Sequence, residues 1–282
     1  MRRIIYIIML AIAVASCTGA MQQRLGEIES AIDTDSASAY GALLAVDTAS
    51  LTADDDRALY DLLIVEKAVK NYEPITPDII MRGRRAADYY SARRLSARRA
   101  DAIFYLGRAY QDAKDYPSAI GPALAALDDA TALRDTFRMA KAHDLIADVY
   151  RQSYLVGPEL PHRRTAKDLY TRSCKLPLYH LYSIIYLADC LYNNDKYQEC
   201  IAMLDSNESL FNDAPPFTYY YYKSRYIKPY IGIGRKADAK LLLHDLYNHR
   251  DDCTFDGIDY SSIINIYILT KTALIKPTNG SV

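Results

Sequence analysis

The sequence predicts an all-α fold, an α-solenoid of antiparallel helix pairs closed by a C-terminal capping helix. Three observations carry that expectation. Apolar residues recur at helical spacing while the period-2 signature of strands is weak. Only 11 Gly and 11 Pro punctuate the 282 residues. A slot for a small residue also returns, from Ala166 to Cys200 after 34 positions and from Cys200 to Ala239 after 39. Two helices alone cannot cover their apolar faces, so repeated pairs must stack on neighbours.

The elements follow in chain order. Residues 1–16 read as a secretion signal. Arg2 and Arg3 give a basic start, and Ile4 to Val14 is an apolar run of about eleven residues, too short to span a bilayer. Residues 17–50 form a lead-in, with two shorter helices suggested between Met21 and Asp47. The helical array is expected over 51–282. Thr52 precedes a long helix, ADDDRALYDLLIVEKAVKN, whose three Asp sit at the end where the helix dipole favours negative charge. Pro74 and Pro77 break the chain, and Asp78 to about Arg94 makes the partner helix. This first pair lacks the Gly and Ala signature of the later ones.

The clearest pair lies in IFYLGRAYQDAKDYPSAIGPALAAL, Ile103 to Leu127. Leu106, Gly107 and Tyr110 share a face of its first helix, Tyr116 marks the turn, and Ala119 and Ala126 recur on the second. Gly107 and Ala119 let the helices approach, while Leu106 and Tyr110 fill the space between pairs. In the next pair Ile146, Ala147 and Tyr150 are answered by Ala166 and Tyr170. Between them QSYLVGPELPHRR is expected to be a loop, held non-helical by Pro158 and Pro161. Leu187, Ala188, Leu191, Tyr197 and Cys200 define a third pair, and Tyr226, Tyr230, Gly234 and Ala239 a fourth. Pro122 and Pro229 fall inside expected helices and predict bends. A last helix from Tyr260 to Lys276, capped by Asp259, would close the array.

Two resemblances follow from these residues. Val14-Ala15-Ser16-Cys17 resembles the lipobox of bacterial lipoproteins. That resemblance implies cleavage before Cys17, acyl chains on its sulfur and new amine, and membrane attachment, which is stable when two or more chains insert. The helix pairs resemble tetratricopeptide (TPR) repeats, clearly over residues 100–250 and weakly over 51–99. The large aromatic of that family's second helix is replaced by Ala123. Together the two describe a TPR lipoprotein of a Gram-negative bacterium. Thr18 follows Cys17 where inner-membrane retention would call for Asp, and no acidic run follows. The resemblance therefore implies the outer membrane, facing the periplasm.

Chemistry is sparse. The formal net charge of −1 selects no nucleic acid. His143, His162, His180, His244 and His249 show no metal-site spacing, and no nucleophile elbow or phosphate-binding loop occurs. We expect no catalytic residues, no metal and no cofactor. Cys190 and Cys200 flank a turn; they are either a disulfide or two buried thiols. Seven arginines between Arg82 and Arg99 are either an anion site or the decoration of ordinary helices, and Asp88 is the local acid opposing them. Tyr219 to Tyr222 point in four directions around a helix, so at least one ring must face outward or meet a partner.

In an array of this type the first helices line a groove. About 100° round from the core positions lie Phe104, Arg108 and Gln111, then Asp144, Asp148 and Arg151, then Ile185, Asp189 and Tyr192, then Ser224, Lys228 and Ile231. This stripe predicts a mixed groove for a protein or peptide. The expected function is a membrane-anchored, non-enzymatic scaffold in the cell envelope. Two alternatives remain. Residues 55–94 are similar to the periplasmic TPR regions of bacterial signalling proteins, which suggests a sensory module. Some outer-membrane glycan binders use TPR helices, which suggests a glycan-binding lipoprotein.

Overall fold

The computed structural model describes residues 19–173 and 175–249. Cys17, Cys174, Cys253 and the expected cap at 260–276 with Asp259 lie outside these residues. Every regular element among the described residues is helical. None of their helices is long and apolar enough to cross a membrane. The chain divides into two compact units at Tyr154 and Leu155.

The first unit contains α1 (19–31), α2 (Ser36–Leu44), a 3₁₀ turn (Thr48–Ser50), α3 (Asp54–Lys70), α4 (Pro77–Ser91), α5 (Ala97–Asp112), α6 (Tyr116–Ala132) and α7 (Thr136–Gln152). The second contains α8 (Val156–Ser173), α9 (Pro177–Asn193), α10 (Tyr197–Asn207), a 3₁₀ turn (Glu208–Phe211), α11 (Pro216–Lys223), a 3₁₀ turn (Ser224–Tyr226), α12 (Ile227–Gly232) and α13 (Lys236–Asn248).

In the first unit α3 pairs with α4 and α5 with α6, and the first helices α3, α5 and α7 also touch in succession. Polar side chains start the helices: Thr76, Ser96, Asp115 and Asp135 each accept the backbone N–H three residues on. Such a cap stabilises a helix by about 1 kcal/mol. By contrast α3 starts after Ala53 with no side-chain cap and relies on Asp54, Asp55 and Asp56 in its first turn. The lead-in helices join the first core: Leu25 and Ile28 of α1 and Leu43 of α2 are buried with Leu59 and Leu63 of α3. A second core joins Leu106, Tyr110, Ala123 and Leu145 across α5, α6 and α7. In the second unit α9 packs on α8 and α10, and α12 packs on α13. Ile184, Ile185, Leu204, Phe211 and Tyr222 form its main core.

Several expectations change. The segment read as a loop around Pro158 and Pro161 is helix α8. Pro158 lies in the first turn, where its missing N–H costs nothing, and Pro161 forfeits one bond while its own carbonyl accepts from Thr165 Oγ1 at 2.9 Å. Helix α6 likewise runs on through Pro122. The expected helix around Pro229 does break: α11 gives way to a 3₁₀ turn, and α12 restarts at Ile227. A proline at 229 cannot bond the carbonyl of Arg225 and crowds it, which is where the turn falls. The first pair does carry small residues. Gly83, Ala86 and Ala87 are buried on α4, and a Cβ on Gly83 would meet Leu106 Cδ1 at 3.2 Å.

The repeat is longer than 34 residues. A residue with positive φ, Arg134, follows α6, and others sit just after α3, α5, α7, α9 and α12, at Tyr72, Lys114, Tyr154, Asp195 and Gly234, a step of 39 to 42 positions. Around four of these last five the chain closes with the paired bonds of a Schellman turn, for example Asp115 N–H to Tyr110 O and Lys114 N–H to Gln111 O.

Candidate functional site: the first-helix faces

The faces of the first helices differ between the units. In the first unit they carry ion pairs. Arg108 of α5 meets Asp148 of α7 at 3.1 Å and Asp112 at 3.6 Å, and Arg151 reaches Asp148 at 3.4 Å. Burial and the nearby Asp148 raise the Asp112 carboxyl above the usual carboxylate range, against the pull of Arg108. Towards the start of α5, Arg138 grips Asp101 and Asp135, each at 2.5 Å. Lys141 stands over the rings of Phe104 at 4.3 Å and Tyr105 at 4.8 Å. Burial pushes the Lys141 ammonium below its ordinary range, only partly offset by Asp101 and Glu66. Tyr105 donates to Glu66 at 2.9 Å, and Lys70 bridges Glu66 and Asp33. Burial opposes the Lys70 charge, but these two acids more than offset it and hold the ammonium above its ordinary range.

The second unit presents rings instead. Tyr182 and Tyr186 of α9 stack at 5.9 Å, Tyr182 meets Tyr221 of α11 at 6.4 Å, and Phe217 lies nearly parallel to Tyr221 at 5.6 Å. Arg225 covers Tyr221 at 4.0 Å and pairs with Asp189 at 3.4 Å. Beneath the row, the fully buried Arg163 and Glu159 pair at 3.0 Å, with the guanidinium 5.2 Å from the Tyr186 ring. All four rings are half-buried.

The residues expected to line a groove are therefore placed unevenly. Arg108, Asp148 and Arg151 come together, Phe104 lies under Lys141, and Asp144 is half-buried on α7. Gln111 is buried. Ile185 is fully buried in the core of the second unit and cannot line an open face. The apolar arc of α9 is wider than the spacing of Leu187, Ala188 and Leu191 suggested, because Ile184 and Ile185 extend it. Asp189 pairs with Arg225, Tyr192 lies 5.1 Å under the Lys228 ammonium, Ser224 donates to the Tyr221 carbonyl, and Ile231 packs against the last core. Tyr182, Tyr186, Phe217 and Arg225 were not expected from the sequence, whereas Tyr221 belongs to the Tyr219–Tyr222 run that was. The signal for two of them was Tyr182-Tyr186-Asp189, an i, i+4, i+7 stripe.

Most of the arginine run is taken up by distant acids. Asp61 binds Arg82 and Arg85, Glu29 binds Arg98, and Asp129 lies 2.8 Å from Arg99. Arg84 bonds Tyr110 and Arg93 covers Tyr89. The tyrosine run divides its rings. Tyr222 is buried, stacks on Phe211 at 3.8 Å and donates to Leu204 O, Tyr220 stacks on His249, and Tyr221 joins the aromatic row. Cys190 and Cys200 are buried free thiols, and burial pushes the Cys200 thiol up to about 12. His180 contacts Thr171 Oγ1 at 2.9 Å, and no group of metal-ligating side chains forms among the described residues.

No protein-family model and no curated protein matches the chain. Solved structures do. A Podosopora anserina kinesin light chain protein of nearly identical TPR-like repeats superposes with a TM-score of 0.60 at 13% identity, covering 71% of this chain and 97% of that one. A Rap protein complexed with Competence and Sporulation Factor gives 0.57 at 13% identity, over 91% and 74% of the two chains. BtubC from P. vanneervenii gives 0.54 at 11% identity, over 96% and 97%. Identities this low speak for the fold, which is all-α and of TPR type.

Proposed function

We propose that this chain is a non-enzymatic scaffold that binds a protein or peptide on the first-helix face of its second unit. The observation that carries the reading is the row Tyr182, Tyr186, Tyr221 and Phe217 with Arg225 and Asp189 at its side. Half-buried aromatic rings beside a guanidinium are the anchors that concentrate binding energy at interfaces. The first-helix face of the first unit offers less, since the charges on α5 and α7 already satisfy one another. The likeness to a Rap protein complexed with Competence and Sporulation Factor supports a partner-binding role. Cys17 behind its apolar leader supports a lipid anchor, and Thr18 after it an outer-membrane site facing the periplasm.

A photo-crosslinking residue at Tyr221 in intact cells tests the surface. One partner should be captured there and lost in Tyr186→Ala; capture of nothing across several growth conditions would end the proposal. Mass spectrometry of the N-terminal peptide tests the anchor, which should vanish in Cys17→Ser. The half-buried rings also support a second reading, glycan binding by stacking, which a glycan array with the Tyr221→Ala variant would separate from the first.

A further inference from the structure

An open pocket of about 520 Å³ lies in the first unit between the Thr48–Ser50 turn, the start of α3 and the middle of α4. Its volume falls in the range of small-molecule sites. Its chemistry is set by Asp61, whose side chain is only 6% exposed. The Asp61 carboxylate accepts Arg82 Nη1 at 2.8 Å, and Arg85 Nε and Nη2 at 2.9 and 3.1 Å. A carboxylate so buried must be paired, and here the pairing fixes two guanidiniums side by side, one helical turn apart on α4. Asp78 braces Arg82 through Nε at 2.7 Å, and Arg57 Nε is tied to Leu51 O at 2.7 Å.

Each guanidinium carries five N–H donors. The bonds just described occupy two on Arg82, two on Arg85 and one on Arg57, so donors are in surplus at the pocket wall. Asp54 adds a looser contact to Arg57, at 3.5 Å. The remaining wall is Thr48 together with the apolar or aromatic side chains of Leu51, Ala58, Tyr89 and Tyr60, whose ring lies 5.9 Å from Arg82. The three arginines are balanced by Asp54, Asp61 and Asp78, and at Tyr89 Arg93 over the ring is balanced by Asp55 at the hydroxyl. A dianion would therefore meet more repulsion than a monoanion, and a planar fork fits a planar carboxylate.

We propose that this pocket binds a small carboxylic acid with an apolar or aromatic body. The carboxylate sits on Arg82 and Arg85, and the body lies against Leu51, Tyr60 and Tyr89. The inference is independent of the surface proposed in the second unit, because it uses none of the same side chains.

Calorimetric titration of the full-length chain tests it with four probes: phenylacetate, phenylacetamide, inorganic phosphate, and a short peptide ending in Phe with a free carboxylate. Phenylacetate should bind saturably; phenylacetamide should be at least about tenfold weaker, as loss of a charge-assisted bond implies, and phosphate likewise weaker, because it has no apolar body to bury and carries more charge. Arg85→Gln, and Thr48→Trp placed on the exposed lip to fill the space, should each weaken phenylacetate about tenfold or more, with the helical circular-dichroism spectrum unchanged. If Arg85→Gln does not fold, Thr48→Trp decides alone. No saturable heat up to about 10 mM phenylacetate, equal binding of the amide, tighter binding of phosphate, or binding of the peptide alone would each overturn the proposal.

Discussion

Gly107 illustrates how far one absent side chain can set packing. A Cβ there would lie 3.0 Å from Leu145 Cδ2 and 3.4 Å from the Ala123 nitrogen. The Leu145 tip can yield by a few tenths of an ångström; the α6 backbone cannot. Gly107→Ala should therefore stay within about 1 kcal/mol of the parent, since the helix gains what the contact loses. Gly107→Val should cost about 1–3 kcal/mol by overpacking. Urea midpoints decide it: equal midpoints for the two variants would remove Gly107 as the spacer between α5 and α6. This role was legible from the sequence because Leu106, Gly107 and Tyr110 share a face with a recognisable pattern. The role of Asp61 was not, because its arginines lie more than twenty positions away and only folding brings them together. The histidines give a second residue-scale prediction. Burial lowers His162 below its ordinary range, and burial with Lys167 nearby lowers His180. A depressed folded value means that the unfolded chain takes up protons first. Stability is then fully present above the unfolded histidine value and declines as pH falls through it towards the folded one. The thermal midpoint should drop between about pH 7 and pH 5, and the drop should shrink in the His162→Gln, His180→Gln double variant. An unchanged drop would assign the acid sensitivity elsewhere.

One backbone feature recurs along the chain, a left-handed residue just after a helix. Gly234 adopts it freely with φ 82°, whereas Tyr72, Lys114, Tyr154 and Asp195 adopt it at the cost that Cβ imposes, about 1–2 kcal/mol for an L residue. Tyr72 is 90% exposed, so removing its ring forfeits little packing. Tyr72→Gly should stabilise the first unit by about 0.5–1 kcal/mol, after the added freedom of glycine in the unfolded chain is subtracted. Thermal unfolding reads this directly, and a lower midpoint would show that the Tyr72 side chain contributes more than its backbone costs. Turn chemistry also explains which elements the sequence concealed. Only Gly234 announces a left-handed turn by residue type, so the true step of 39 to 42 positions stayed hidden behind small-residue slots. Helix α8 was hidden for the opposite reason. Its prolines look like breakers, yet one sits in the first turn and the other loses a single bond while Leu169, Tyr170 and Ala166 are buried. Packing of an apolar face outweighs one missing hydrogen bond.

At the scale of the molecule, one repeat pattern carries two different surface chemistries. The periodicity made the helix pairs legible because burial demands it, and it let the first helices be named as the candidate face. It could not assign each stripe, since a rotation by a single residue exchanges Ile185 for Tyr186 and turns an aliphatic wall into an aromatic one. The difference between the units predicts a difference in salt response. On α5 and α7 the pairs Arg108–Asp148, Arg138–Asp101 and Arg151–Asp148 join the two helices or brace one of them. On α9 and α11 ring contacts dominate. Raising sodium chloride from about 0.1 M to about 1 M shortens the screening length from about 10 Å to about 3 Å, which weakens charge pairs that still touch water and leaves ring stacking intact. These pairs are only partly exposed, so the expected loss is modest, up to about 1 kcal/mol, or several-fold faster exchange of the backbone amides. Hydrogen exchange should show α5 and α7 losing protection at high salt while α9 and α11 keep theirs. Equal changes in both sets would mean that the charges of the first unit are ornament on a core that Leu106, Tyr110 and Leu145 hold by themselves. In that case Arg108 and Asp148 would be released from a structural role, and the α5–α7 face too would become a candidate for binding a charged partner.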